Sequence, residues 1–100
     1  MPTHDETNAF MRDYGSLTAQ QQDRFDSKRE EFTDDLLSME DDPRKGFRPG
    51  LRVKKVQGES GLFEMTWAPD GRAIFSMGSP VIEGKRHIVW RRVGDHSILP

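Results

Sequence analysis

Charged residues sit where a sheet would be built. The stretch FEMTWAPDGRAIF at positions 63 to 75 alternates apolar and polar residues on both sides of a Pro-Asp-Gly turn, yet it carries Glu64, Asp70 and Arg72. A charged side chain on a strand needs water, a partner or a task. The guanidinium of Arg72 presents a planar fork of donors that matches a phosphate or a carboxylate in bidentate fashion. Glu64 has the chemistry of a general base or of a partner for Arg72. Asp70 is explained by turn chemistry, in which aspartate bonds locally, proline presets φ and glycine accepts a positive φ. Of three histidines, His4 lies in a polar leader, His87 in an apolar run and His96 beyond that run. An imidazole gives and takes a proton near neutral pH, but a lone histidine is as readily a surface or capping residue. Cysteine is absent, and the histidines are scattered, so the sequence offers no metal-ligand spacing, thiol nucleophile or disulfide. No metal and no small-molecule cofactor is expected.

A hundred residues, about a third of them hydrophobic, suffice for a single core, so 1–100 is read as one domain. No apolar run is long enough to span a bilayer, and MPTHDETNAF lacks the regions of a signal peptide, so no membrane is involved and a cytoplasmic location is expected. The net charge of −2 hides an asymmetry. Residues 1–42 hold four basic and twelve acidic residues, whereas residues 43–100 hold eleven basic and five acidic, or −8 against +6. The basic half suits a polyanion, unless the two halves neutralise each other in the fold.

Residues 1–7 are expected to be a frayed tail, and 8–42 helical. Phe10, Met11 and Tyr14 suggest a short helix stopped at Gly15. Thr18 and Gln21 have the form of a capping box, and Phe25, Phe32, Leu36 and Met39 draw one apolar stripe along a longer helix ended by Pro43. After the basic connector RKGFRPG, the period changes to two, and 47–99 reads as a sheet: LRVKKV, LFEMTWA, RAIFSM and HIVWRRV, the last apolar on both faces like a central strand covered twice. The expected fold is α+β, with two N-terminal helices on one face of a small, mostly antiparallel sheet. The other face would gather Lys54, Glu64, Thr66, Arg72 and one of Arg91 or Arg92.

The order of these parts, with GLRVKKVQGESGLFEMTWAPDGRAIFSM and VGDHSIL, resembles the RelE/ParE-like toxin superfamily of bacterial toxin-antitoxin modules. That resemblance implies a ribosome-dependent endoribonuclease, which cuts messenger RNA by driving the 2'-hydroxyl onto the adjacent phosphate and is silenced by a cognate antitoxin. It places Arg72 at a catalytic arginine of the RelE-like branch and His96 at the histidine of a Gly-x-His motif of the YafQ-like branch. Asp70 falls on a functional aspartate of that branch. Glu64 would assist as base, and Arg48, Arg52, Lys54, Lys55, Arg91 and Arg92 would bind RNA phosphates. The strand lysines of RelE-like enzymes are Glu64 and Thr66 here, and Thr66 also replaces a YafQ-like histidine. That departure keeps alternatives open: a non-catalytic module binding gyrase or another protein, or an RNA-binding domain with a degenerate site.

Overall fold

The computed structural model describes residues 2–100. Two helices precede most of the sheet: α1 spans Asn8–Ser16 and α2 spans Ala19–Asp41. Thr7 caps α1, its hydroxyl accepting from Phe10 N at 3.1 Å. The Thr18 hydroxyl accepts from Gln21 N at 3.1 Å, and the Gln21 amide oxygen accepts from Thr18 N at 2.8 Å. This completes the capping box expected from the sequence, which sets the start of α2. Gly15 does not stop α1, which runs on to Ser16.

The sheet has five strands in the order β1-β5-β4-β3-β2, with β1 at Thr3–Glu6, β2 at Lys54–Lys55, β3 at Phe63–Thr66, β4 at Gly71–Gly78 and β5 at His87–Asp95. Neighbours are antiparallel except β1, which runs parallel to β5. The α+β architecture and the mostly antiparallel sheet are as expected. Three local expectations need correction.

Residues 3–6, expected to be frayed, are β1. The strand is held at its side chains as well as its backbone, since buried His87 sits between Thr3 Oγ1 at 2.7 Å and Asp5 Oδ2 at 2.9 Å. This strand also makes β5 an interior strand, while β4 takes the centre of the sheet. LRVKKV contributes only two strand residues, because Pro49–Leu51 forms a single 3-10 turn and Arg52 follows in the left-handed region at φ 47°. The face away from the helices is not bare either: Val56, Glu64, Ile74 and Ser76 are all buried.

The core between helices and sheet is aromatic. Phe25, Phe32, Leu36 and Met39 of α2 are all buried in it, as the stripe requires. Trp90 stands edge-on to Phe25 and Phe32, at centroid distances of 5.8 and 5.0 Å. Phe32 also stacks on Phe47 at 4.8 Å, which ties the connector to α2. Such ring pairs contribute about 0.5 to 1.5 kcal/mol each beyond the area they bury.

Much of the charge asymmetry is consumed inside the fold. Acidic residues of the helical half meet basic residues of the sheet half in Asp13–Arg92 at 2.6 Å, Asp35–Arg48 at 2.8 Å and Glu40–Lys85 at 3.6 Å. The mutual neutralisation left open by the sequence is therefore realised at these pairs.

Candidate nucleic-acid site at the turn end of the sheet

The turn between β3 and β4 is fixed by Trp67. Its indole is buried, its Nε1 donates to the Arg72 carbonyl at 3.0 Å, and its backbone N donates to the Gly71 carbonyl at 3.1 Å. Gly71 is required for a reason other than the positive φ expected from the turn. A Cβ there would lie 2.6 Å from Trp67 Cε2, so the ring occupies the space that any side chain would need. The turn, with Asp70 at its tip and Arg72 at its exit, is thereby packed against the core.

At the same end of the sheet, β5 runs past β4. Gly71 pairs with Asp95 and Arg72 with Gly94, so His96 begins the 3-10 turn His96–Ile98 right beside the β3–β4 turn. Asp95 caps that turn by accepting from Ser97 N at 2.8 Å, and these Ser97 hydrogen bonds hold the Asp95 carboxyl below its ordinary range. Asp70 does not bond the turn backbone as expected; its Oδ1 meets His96 Nδ1. An ionised carboxylate can only accept, so Nδ1 carries the donated proton, and Nε2 has no hydrogen-bond partner among the described residues.

Arg72 follows Asp70 by two residues at the exit of the same turn and is half-buried. Its Nη1 donates to the carbonyls of Gly71 at 2.9 Å and Pro69 at 3.3 Å, which aims the guanidinium without neutralising it. It lines a cleft of about 350 Å³ together with Arg24, Lys28, Arg52, Thr66 and Trp67. A neighbouring hollow is lined by Asp13, Arg24, Trp67, Asp70, Asp95 and Ser97, so Arg24 stands on the rim of both.

The remaining residues singled out in the sequence divide into two groups. Arg52 joins the cleft, Lys55 is exposed, and Arg91 donates Nε to Ser76 Oγ at 2.8 Å. The others are engaged elsewhere. Glu64 is buried and faces Lys54 at 3.8 Å across β2 and β3 rather than pairing with Arg72. It sits opposite Ile74, one core-facing residue removed from the Thr66–Arg72 pair. Arg48 is tied to α2, donating Nε and Nη2 to Asp35, and this contact pulls the Asp35 carboxyl below its usual value. Arg92 leans to Asp13, which holds its guanidinium more firmly protonated. A bulge skips Arg91 in the backbone register, since Phe75 faces Trp90 while Ile74 faces Arg92.

Sequence reasoning missed Arg24 and Lys28. The available signal was their separation of four residues, which puts both on one side of α2 along the border of the apolar stripe.

This is the fold of the RelE/ParE-like toxins. Seen along nearly its whole length, the chain is similar to YafQ from Escherichia coli in the crystal structure of the DinJ-YafQ complex, with a TM-score of 0.62 and 16% identity over 99% of this chain and 98% of that one. It is also similar to the chain matched in the intact E. coli RelBE toxin-antitoxin complex, with a TM-score of 0.55 and 14% identity over 95% and 96% of the two chains. The YoeB/ParE toxin from Agrobacterium tumefaciens gives a TM-score of 0.56 at 14% identity, covering 94% and 98%. No protein-family model and no curated protein sequence matches the chain.

Proposed function

We propose that the protein is the toxin of a toxin-antitoxin pair and cleaves messenger RNA on the ribosome. The observation that carries this reading is the Asp70–His96 contact at the same end of the sheet as Arg72, whose guanidinium meets only neutral carbonyls. In the reaction, the 2'-oxygen loses its proton and bonds to phosphorus, while the bond from phosphorus to the 5'-oxygen breaks and that oxygen gains a proton. No water is consumed, and the products end in a 2',3'-cyclic phosphate and a 5'-hydroxyl. Arg72 binds the non-bridging oxygens as their charge grows. His96 handles a proton through Nε2, and Asp70 fixes the orientation of the ring. Glu64, turned to Lys54, holds that lysine on the sheet rather than serving as base. The fold is shared with chains solved in DinJ-YafQ and RelBE toxin-antitoxin complexes, which supports a cognate antitoxin as partner.

Induced expression in bacteria tests the proposal. Growth arrest with cuts in ribosome-bound messages is expected, with relief in folded Arg72→Ala and His96→Ala proteins. Full toxicity in both variants would refute it.

A second reading, a toxin that works by binding a protein such as gyrase, is favoured by one observation: Thr66 and the buried Glu64 stand on β3 where the resembled enzymes carry lysines or a histidine. Co-purification with gyrase rather than ribosomes, together with toxicity that survives loss of His96, would select it.

A further inference from the structure

The cleft at the turn end of the sheet has a composition that the protein as a whole does not. The chain has more acidic than basic residues. Yet the cleft is lined by four cations, Arg24, Lys28, Arg52 and Arg72, and by no carboxylate. These cations come from three separate places: α2, the segment after the 3-10 turn, and β4. Convergence from distant positions sets them apart from a solvated run of charge along one helix. Like charges brought together repel, so the arrangement is stabilised when an anion enters.

Their partners point the same way. Arg24 and Arg52 have no ion pair or side-chain hydrogen bond among the described residues, and Arg72 donates only to neutral carbonyls. Lys28 approaches Glu31 at 3.5 Å, an exposed pair of the kind that contributes little and yields readily. Elsewhere Arg48 of the connector is tied to Asp35, and Arg92 of β5 to Asp13. Arg52 is also the one non-glycine residue at positive φ among the described residues, at 47°. Backbone in that region is strained for a residue with a side chain, and such strain gathers at ligand-binding positions.

We infer that this cleft binds the phosphodiester backbone of single-stranded RNA beside the scissile linkage, with Arg24 and Lys28 of α2 as phosphate ligands alongside Arg52. The inference rests on the proposed RNA-cleaving function for the identity of the polyanion, but not on cleavage itself. Arg24 lines both the cleft and the hollow that contains Asp70, so the strand runs from the reacting phosphate at Arg72 along α2. The helical half, although strongly acidic, contributes part of the substrate surface.

The test measures binding of a short, fluorescein-labelled 2'-O-methyl oligoribonucleotide, which lacks the attacking hydroxyl and separates binding from cutting. Wild type is compared with Arg24→Gln/Lys28→Gln and with a charge-matched control outside the cleft, Arg44→Gln/Lys45→Gln. Glutamine keeps good helix propensity, and circular dichroism checks that each variant is folded. The cleft variant is expected to bind more weakly than the control. Its slope of log affinity against log salt, taken from about 50 to 200 mM, should be shallower than that of wild type by about 1.4, or roughly 0.7 for each phosphate that is no longer neutralised. That change in a protein that cuts no message would uphold the cleft and remove the nuclease. Wild-type binding with an unchanged slope in the cleft variant would overturn the cleft and leave the nuclease standing. An equal loss in both variants, or no binding by wild type, would also overturn it.

Discussion

Asp70 and His96, 26 residues apart in sequence, meet through Oδ1 and Nδ1 and join the turn between β3 and β4 to the helical turn after β5. In the proposed reaction the two residues have separate work: the carboxylate orients and the imidazole exchanges the proton, so removal of each should leave a different kinetic trace. His96→Gln should lower message cleavage by about 10² to 10⁴, the usual contribution of a positioned general acid or base. Asp70→Asn should lower it less, because the ring remains but its orientation is looser. The double variant should be no slower than His96→Gln alone, since residues acting as a unit are non-additive. Single-turnover rates measure all three, and an additive double variant would show that Asp70 acts independently of His96.

Gly71 links packing to chemistry. Alanine there would drive a methyl group into Trp67, whose indole lies 2.6 Å from the Cβ position. We expect Gly71→Ala to cost about 1 to 3 kcal/mol by overpacking, read as a lower denaturant midpoint. The same change should reduce cleavage in the fraction that stays folded, because the ring that moves also holds the Arg72 carbonyl. Full activity in a destabilised Gly71→Ala protein would mean that the turn tolerates displacement.

The connector is fastened by Asp35, and this fastening depends on pH. The Arg48 hydrogen bonds lower the Asp35 carboxyl from its ordinary 3.8 in the folded protein. A depressed carboxylate contributes stability that is fully present above its unfolded value and is lost as pH falls through the folded one. Asp35→Asn should therefore unfold at lower temperature than wild type at neutral pH, with the gap narrowing as pH drops below about 4. Thermal melts from neutral pH into this acid range check it, and a gap independent of pH would contradict it.

The residues that sequence pattern revealed are those whose reasons are local. Thr18 and Gln21 cap a helix from three positions apart, and Phe25, Phe32, Leu36 and Met39 share a face by periodicity. Both features follow from the helix itself. β1 was not legible, because THDE carries no strand pattern and is ordered by Ile88 and its neighbours more than eighty positions away. Arg52 was misplaced for a related reason: a period of two was extended through a residue whose backbone is left-handed. Arg24 and Lys28 went unmarked, since nothing near them in sequence announces that they share a cleft with Arg52 and Arg72. The burial of Glu64 was also hidden, because alternation tells which face a residue takes and not how that face is covered.

If Arg72 and His96 act on one phosphodiester, the chemistry of the cut ends must show it. Purified protein is added to ribosomes carrying a defined message, and the fragments are analysed for their termini. We predict 2',3'-cyclic phosphate and 5'-hydroxyl ends from wild type. Folded Arg72→Ala and Arg72→Lys should both yield few cuts, since a lysine cannot supply the bidentate fork, and His96→Gln should yield few as well. Fragments with 5'-phosphate ends, or undiminished cutting by Arg72→Ala and His96→Gln, would rule out a shared action of these two residues on the phosphodiester.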